Sequence, residues 1–517
     1  RALSTRTTVG GSYGSFGTET ASIAHFHNDQ KLEVTATGGY FTTDGDFPFT
    51  NTNATPENLD DDTTDDRANN DIERHDALCR LRYRITDSLA FTLRDSLMDK
   101  KNGLAGREHH QAERTRYDMF TNNAFAALRW DAPMLPGASV EASVYHNREA
   151  SEYRDPDSEV GLGIQDSTYD TRQKGTALEG VIPFFEGRHT VTLRGEYRTE
   201  AYAADERASI YGDPPSTARD SIFLTAEDKV AIIGDRLFFI PSVRHTRHDS
   251  SVEQVAQYGY HSTPIPEGAL YENTSVQGGL LFNLNERWTA KANLGDAVRA
   301  PSMFELYGDR GTYKGNPQLV PEESRNADLG LRYTVDNPAE GVHAFEMEGA
   351  VFHRQADSMI RSVYDSAGVG HAVNLSSAEI VGFEWTGAVQ LGDHFRMRNS
   401  ATWQETQVTS VYAYEDGKTV PGLPGFMWSS RFEIFWSWGA TDVTTYLEYL
   451  GDTGGYYDSA NLLGRDEDRC VNLGVEARRG ALRYNAACTN LADRERADVP
   501  AYPLPGRAYT LGLEYSF

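Results

Sequence analysis

The sequence predicts an all-β chain, a transmembrane antiparallel β-barrel of about 22 strands with long extracellular loops and short periplasmic turns. Three observations point to it. Apolar and polar residues alternate in one segment after another. The polar members of each alternation include full charges and glycines. The connections between segments alternate between very short and very long.

The alternation recurs along the whole length. In "SLAFTLRDS", Leu89, Phe91 and Leu93 oppose Ala90, Thr92 and Arg94. In "HTVTLRGEYRTE", Val191, Leu193 and Tyr197 alternate with Thr192, Arg194, Glu196 and Arg198. "RWTAKANLG" sets Trp288, Ala290, Ala292 and Leu294 against Thr289, Lys291 and Asn293. "NADLGLRY" sets Ala327, Leu329, Leu331 and Tyr333 against Asn326, Asp328, Gly330 and Arg332. The closing "GRAYTLGLEYSF" places Tyr509, Leu511, Leu513, Tyr515 and Phe517 on one face and Thr510, Gly512, Glu514 and Ser516 on the other. A period of two puts each set on one side of a strand.

A soluble sandwich alternates too, so the connections carry weight. "TDS", "FEGR", "IGDR", "LNER" and "ARRG" are tight turns, whereas "DGDFPFTNTNATPENLDDDTTDDRANND" and "DSSVEQVAQYGYHSTPIPEGALYE" are long and polar. Short turns on one side and long loops on the other mark an outer-membrane barrel. Aromatics gather at strand ends, where interface girdles would stand. Such a barrel must hydrogen-bond all the way round, because an open edge in lipid strands backbone groups without partners.

Composition removes other classes. No segment approaches the ~20 apolar residues of a transmembrane helix, and helical heptads are missing. Mean hydropathy of −0.56 hides transmembrane strands, which need only one apolar face. A net charge of −27 argues against nucleic acid, whose phosphates demand basic patches. Three scattered cysteines, Cys79, Cys470 and Cys488, suggest neither a disulfide framework nor a zinc site. No nucleophile elbow, HExxH or phosphate-cradling loop is present, so an enzyme is not expected. With no helical domain or linker in view, residues 1–517 read as one barrel.

Several phrases carry a family resemblance. "NLGDAVRAPSMFELYGDRGTYKGNPQLVPEESRNADLGLRY" resembles the most recognisable stretch of TonB-dependent outer-membrane receptors, through Arg299, Ala300, Pro301, Glu305, Leu306, Tyr307, Gly308, Gly315, Asn316, Pro317, Leu319, Pro321, Glu322 and Ser324. "VNLSSAEIVGFEWTGAVQL" is similar to a second family strand, through Asn374, Ala378, Gly382 and Glu384. "CTNLADRERADVPAYPLPGRAYTLGLEYSF" resembles the family's closing phrase, with Phe517 in the place of the terminal aromatic by which such barrels are recognised for assembly. Among relatives, cobalamin and catecholate-siderophore receptors look closest.

The resemblance implies an outer-membrane receptor that captures a scarce ligand such as a siderophore or cobalamin, with lipid and lipopolysaccharide as surroundings. It also implies a plug and a TonB-contacting box, and this sequence, which opens on "RALSTRTTVGG", contains neither. The plug could have been removed, could be a separate chain, or could be dispensable in a repurposed barrel. A partner chain or inward loops would then fill the lumen, and the TonB complex would be engaged only through a plug. A plug-less scaffold seating another protein, or a passive channel, are the competing readings.

Candidate site residues follow. Tyrosine combines contact area with a hydroxyl and suits capture of a bulky ligand. Tyr202, Tyr211, Tyr258, Tyr260, Tyr307, Tyr313, Tyr456 and Tyr457 are therefore candidates for ligand contact in the outer loops, with an interface belt as the competing assignment. Asp60, Asp61, Asp62, Asp65 and Asp66 crowd one outer loop and could hold Ca²⁺, although their spacing fits no EF-hand. Arg299, Pro301, Glu305, Tyr307, Asn316, Pro317 and Glu322 are expected to brace the loop and lumen wall.

Overall fold

A computed structural model describes residues 4–55, 58–161, 163–208, 216–252, 268–307, 313–364 and 369–517. Strand follows strand in chain order: β1 Ser4–Gly14, β2 Thr18–Asn28, β3 Leu32–Thr43, β4 Ile72–Arg84, β5 Leu89–Gly103, β6 Arg116–Asp131, β7 Ser139–Asp155, β8 Gln165–Phe184, β9 His189–Glu206, β10 Thr217–Ile233 and β11 Leu237–Val252. The second half continues with β12 Gly268–Asn283, β13 Trp288–Arg299, β14 Glu322–Ala339, β15 Val342–Tyr364, β16 Gly370–Leu391, β17 Phe395–Thr409, β18 Phe426–Trp438, β19 Thr441–Asp452, β20 Asp468–Arg479, β21 Leu482–Thr489 and β22 Ala508–Ser516.

Each strand pairs antiparallel with its sequence neighbours, and β1 closes on β22 from Thr8↔Ser516 to Gly14↔Thr510. The result, among the described residues, is a closed barrel of 22 strands. Closure leaves no sheet edge for lipid to strand. Among the described residues one short α-helix, α1 Met303–Tyr307, stands between β13 and β14, and no helix among them is long and apolar enough to cross a membrane.

Burial inverts the pattern of a soluble sheet. In β22 the apolar members of the alternation are the exposed ones, Leu511 at 67% and Leu513 at 46%, while Thr510 and Glu514 are half-buried. Tyr13, Leu178, Leu193 and Leu329 are likewise exposed on the outer surface. Such a stripe is stable only where the outer solvent is hydrocarbon. Aromatic pairs lie near both ends of the lipid band: Trp288 and Tyr333 sit 4.5 Å apart beside the short turns, and Trp428 and Tyr449 5.8 Å apart towards the long loops. These are the interface girdles.

The inner face is wet and ionic. Glu433 accepts from Arg398 at 2.6 Å and from Arg431 at 3.0 Å, and Lys291 donates to Glu348 at 2.8 Å. At the short-turn end the connections run from two to seven residues, as at 340–341 and 132–138. The opposite, extracellular end carries 44–71, 104–115, 300–321, 410–425, 453–467 and 490–507. Strands β15 and β16 are 23 and 22 residues long, about twice the ~9–11 that span a bilayer. The surplus rises above the membrane and builds the mouth.

Candidate functional site

The mouth is assembled from the tops of long strands and from loops that fold back on them. One arc centres on residues 300–321. Ser302 and Glu305 cap α1 reciprocally: the Ser302 N–H donates to Glu305 Oε2 at 2.8 Å, and the Glu305 N–H donates to Ser302 Oγ at 3.2 Å. This Ser-x-x-Glu exchange satisfies two backbone donors that the helix start would otherwise orphan. Arg299 donates to both Glu305 oxygens at 2.9 Å. The Arg219 guanidinium of β10 donates to the Pro301 carbonyl at 2.8 Å.

The helix then delivers its last residue inward. Tyr307 stacks on Tyr202 of β9 at 4.8 Å, and Thr217 Oγ1 donates to its hydroxyl at 2.8 Å. Tyr153, Tyr169 and Met303 complete a buried cluster with these two tyrosines. Burial pushes the Tyr307 hydroxyl pKa above its ordinary value.

The rest of the phrase is fastened to β14–β16. The Asn316 N–H donates to the Glu305 carbonyl at 2.8 Å, and Pro317 occupies the turn that returns the chain. Val320 and Asn374 pair through both backbone groups of Val320 and the Asn374 amide, at 3.0 and 3.1 Å. Glu322, 5% exposed, accepts from Arg354, lies 3.6 Å from Arg299, and takes the Ile360 N–H at 3.0 Å. Tyr313 stacks on Phe304 at 4.7 Å and bonds Ser362 Oγ at 2.8 Å. It packs so closely on Gly370 that a Cβ there would meet its ring at 2.5 Å. Loop 410–425 adds Val420 and Leu423 to an apolar cluster with Met359, Leu375, Ala378, Ile380 and Val408.

A second arc joins other loops. Arg67, 4% exposed, donates to the Gly106 carbonyl and lies 5.8 Å from the ring centroids of both Phe49 and Tyr502. Burial lowers its pKa to about 10, so it stays charged at neutral pH. Glu159 accepts the N–H groups of Glu113, Arg114 and Thr115 at 2.9, 2.9 and 3.1 Å. Burial pushes its pKa up, but those hydrogen bonds outweigh it and hold the carboxyl below its ordinary value.

The predicted residues divide accordingly. Tyr202 lies in β9, a strand that projects above the membrane, rather than in a loop. Tyr202, Tyr307, Tyr313 and Tyr457 are packed at 4–8% exposure. Their rings hold loop to wall in this structure and offer a ligand little surface. Tyr456 is half-buried in the two-residue strand Gly455–Tyr456. Tyr211, Tyr258 and Tyr260 lie outside the described residues.

Asp60 and Asp61 sit in a 3₁₀ turn and Asp65 and Asp66 in the short strand Thr63–Asp66, where adjacent side chains point oppositely. Thr55 Oγ1 donates to Asp61 at 2.8 Å and Asn51 donates to Asp65 at 2.7 Å. Among the described residues, no group of three or more His, Cys, Asp or Glu side chains is placed to hold a metal ion. Sequence reasoning missed Tyr153, Tyr169 and Arg219. Their signal was the inward parity of strands longer than a bilayer requires.

A closed barrel of 22 strands with an apolar outer face defines an outer-membrane protein. The chain matches the β-barrel model of TonB dependent receptor-like proteins over residues 16–503 and belongs to that family; its place is the bacterial outer membrane. It is 26% identical over 286 residues to the iron-regulated outer membrane virulence protein of Vibrio cholerae, covering 50% of this chain and 40% of that protein. It is 26% identical over 294 residues to the ferric enterobactin receptor of Pseudomonas aeruginosa, covering 48% and 38%. The chain thus spans about two fifths of the length of these relatives. The ferric yersiniabactin uptake receptor FyuA of Yersinia pestis superposes with a TM-score of 0.77 at 13% identity, over 99% of this chain and 80% of that one. Relatives of this kind are receptors and transporters, not enzymes.

Proposed function

We propose that this barrel captures a scarce, bulky ligand at its extracellular mouth and admits it to the periplasm, the ligand being a siderophore, cobalamin or similar compound. The observation that carries the reading is the mouth itself. Residues 300–307, 313–321 and 410–425 are fastened to the wall at the extracellular end of the barrel by hydrogen bonds and an apolar cluster, which supports a receptor mouth. The names of the curated relatives and of the structural neighbour speak of iron or ferric ligands, which favours a ferric complex over cobalamin. A plug within the lumen, drawn by the TonB complex, would supply the gated passage. Lipopolysaccharide would meet the outward collar above the lipid band, where Arg148 and Arg172 converge on Asp170.

The test is deletion of the gene in its host, followed by growth under iron limitation on single ferric siderophores and, separately, on cobalamin. Loss of growth on one class, restored by the full-length gene, supports the proposal. Unchanged growth and uptake across the panel would refute it.

A further inference from the structure

The outer surface of β8–β10 is not a smooth apolar wall. Leu193 and Leu224 are exposed on the lipid side, and residues directly opposite one another in a ladder share a face. The register therefore sets Leu178, Gly195 and Leu224 in one outward row, and Gly180, Leu193 and Ala226 in the row beneath it. Large and small residues alternate along and across the strands, which sinks a groove between the leucines. The cavity measures about 590 Å³ and is lined by all six. Its glycines keep it open: a Cβ on Gly180 would meet nothing within 4 Å, and one on Gly195 would meet only Leu224 Cδ2, at 3.6 Å.

The groove runs down to a polar end. The next outward row is Ile182, Val191 and Asp228, and the one after it is Phe184, His189 and Val230. A carboxylate on the lipid side of a strand is costly in hydrocarbon and points to a function. Asp228 stands five positions from Ile233, the periplasmic end of β10, and His189 is the first residue of β9. His189 Nδ1 lies 2.7 Å from Asp228 Oδ2. Both side chains remain partly open, at 35% and 28% exposure. Among the described residues Asp228 Oδ1 has no hydrogen-bond partner, so the imidazole supplies the carboxylate's one contact. Phe185, 77% exposed, brings its ring to 5.6 Å from that imidazole. It does so from a turn in which Phe185 and Glu186 hold φ of 48° and 58°, a left-handed conformation that non-glycine residues seldom adopt.

We propose that this groove is a site for one inner-leaflet phospholipid with a primary ammonium head. The ammonium rests against the Asp228 carboxylate and the face of Phe185. As an imidazolium, His189 donates Nδ1–H to Asp228 and Nε2–H to the lipid phosphate. One acyl chain lies along Gly180 and Gly195 towards the bilayer midplane. The groove is continuous with the lipid band, and its polar end stands at the level of the short turns, where inner-leaflet heads lie. From there it rises along the strands as an acyl chain does. The site is on the outside of the wall, so it is independent of what fills the lumen and of the ligand the mouth captures.

The test uses the detergent-purified chain, stripped of lipid and then offered phosphatidylethanolamine or phosphatidylglycerol with identical acyl chains. Native mass spectrometry counts the lipid retained. The wild type is expected to retain one phosphatidylethanolamine per chain, about tenfold in preference to phosphatidylglycerol. Asp228→Asn should abolish that preference. Gly180→Leu fills the groove and should lose both lipids while the heat-modifiable barrel persists. Leu329→Ala alters a lipid-facing residue outside the groove and should behave as wild type. If Asp228→Asn does not assemble, His189→Gln carries the same comparison. Equal retention of the two lipids by the wild type would overturn the proposal, as would a preference that survives both Asp228→Asn and Gly180→Leu. A dimer that retains no lipid and is dissociated by Gly180→Leu would also overturn it, by giving the groove to a second copy of the chain.

Discussion

Tyr307 offers the sharpest test of how α1 is held to the barrel wall. Its ring is 6% exposed, stacks on Tyr202 at 4.8 Å, and takes a hydrogen bond from Thr217 at 2.8 Å. Truncating a buried aromatic to alanine costs about 3–5 kcal/mol, part of which is the ring–ring contact. Tyr307→Phe keeps the stack and loses one hydrogen bond, about 1 kcal/mol. Neither change should unfold the barrel, whose closed ladder is untouched; both act on the docking of α1. The readout is hydrogen exchange at the Leu306 and Asn316 amides, which donate to Ser302 and Glu305 carbonyls at 3.1 and 2.8 Å. With tenfold per 1.4 kcal/mol, exchange should accelerate about a hundred- to a few-thousand-fold in Tyr307→Ala and about fivefold in Tyr307→Phe. If Tyr307→Ala leaves both amides within about twofold of wild type, the tyrosine cluster does not hold the loop.

Other expectations follow from the same structure. Glu322→Gln leaves Arg299 and Arg354 beside a neutral amide, and limited proteolysis should then cut the 300–321 loop faster than in wild type. The Glu159 carboxyl has a lowered folded pKa, so its bridge between loops 104–115 and 156–164 is fully present above the unfolded carboxyl value. As pH falls through the folded value the bridge is lost, and exchange at Arg114 and Thr115 should rise relative to neutral pH after correction for intrinsic rates. On β22, Leu513→Arg puts a charge in lipid at a cost of about 2–4 kcal/mol near the midplane, whereas Thr510→Arg faces the lumen. The first should deplete the heat-modifiable barrel on electrophoresis and the second should not.

The barrel was legible because lipid and water impose period two on every span. Leu329 and Arg332, or Leu513 and Glu514, announce their faces from parity alone. Long and short connections supplied the orientation. What could not be read was where strands stop. Tyr202 looks like loop chemistry in "EYRTEAYAADER", yet its backbone continues the ladder to Glu206. Above the membrane the outer solvent is water again, so the hydropathic contrast that marks a span disappears while the hydrogen bonding continues. The tyrosine cluster depends on α1 reaching across to β9 and β10, a contact between residues about a hundred positions apart that no local pattern encodes. The family phrase marked the segment that carries α1. The partners of Arg219 and Glu322 required coordinates.

The seam between β1 and β22 has a temporal consequence. Thr7 and Phe517 exchange backbone hydrogen bonds of 2.8 Å in both directions, and Thr8 is in register with Ser516. These contacts join segments far apart in the sequence, so they cannot form until translation has delivered β22. Until then the half-built sheet has two raw edges and a lipid-seeking face in an aqueous compartment, the circumstances that favour aggregation. The seam therefore sets an order: the ladder from β1 to β21 can pair before it, and closure comes only with β22.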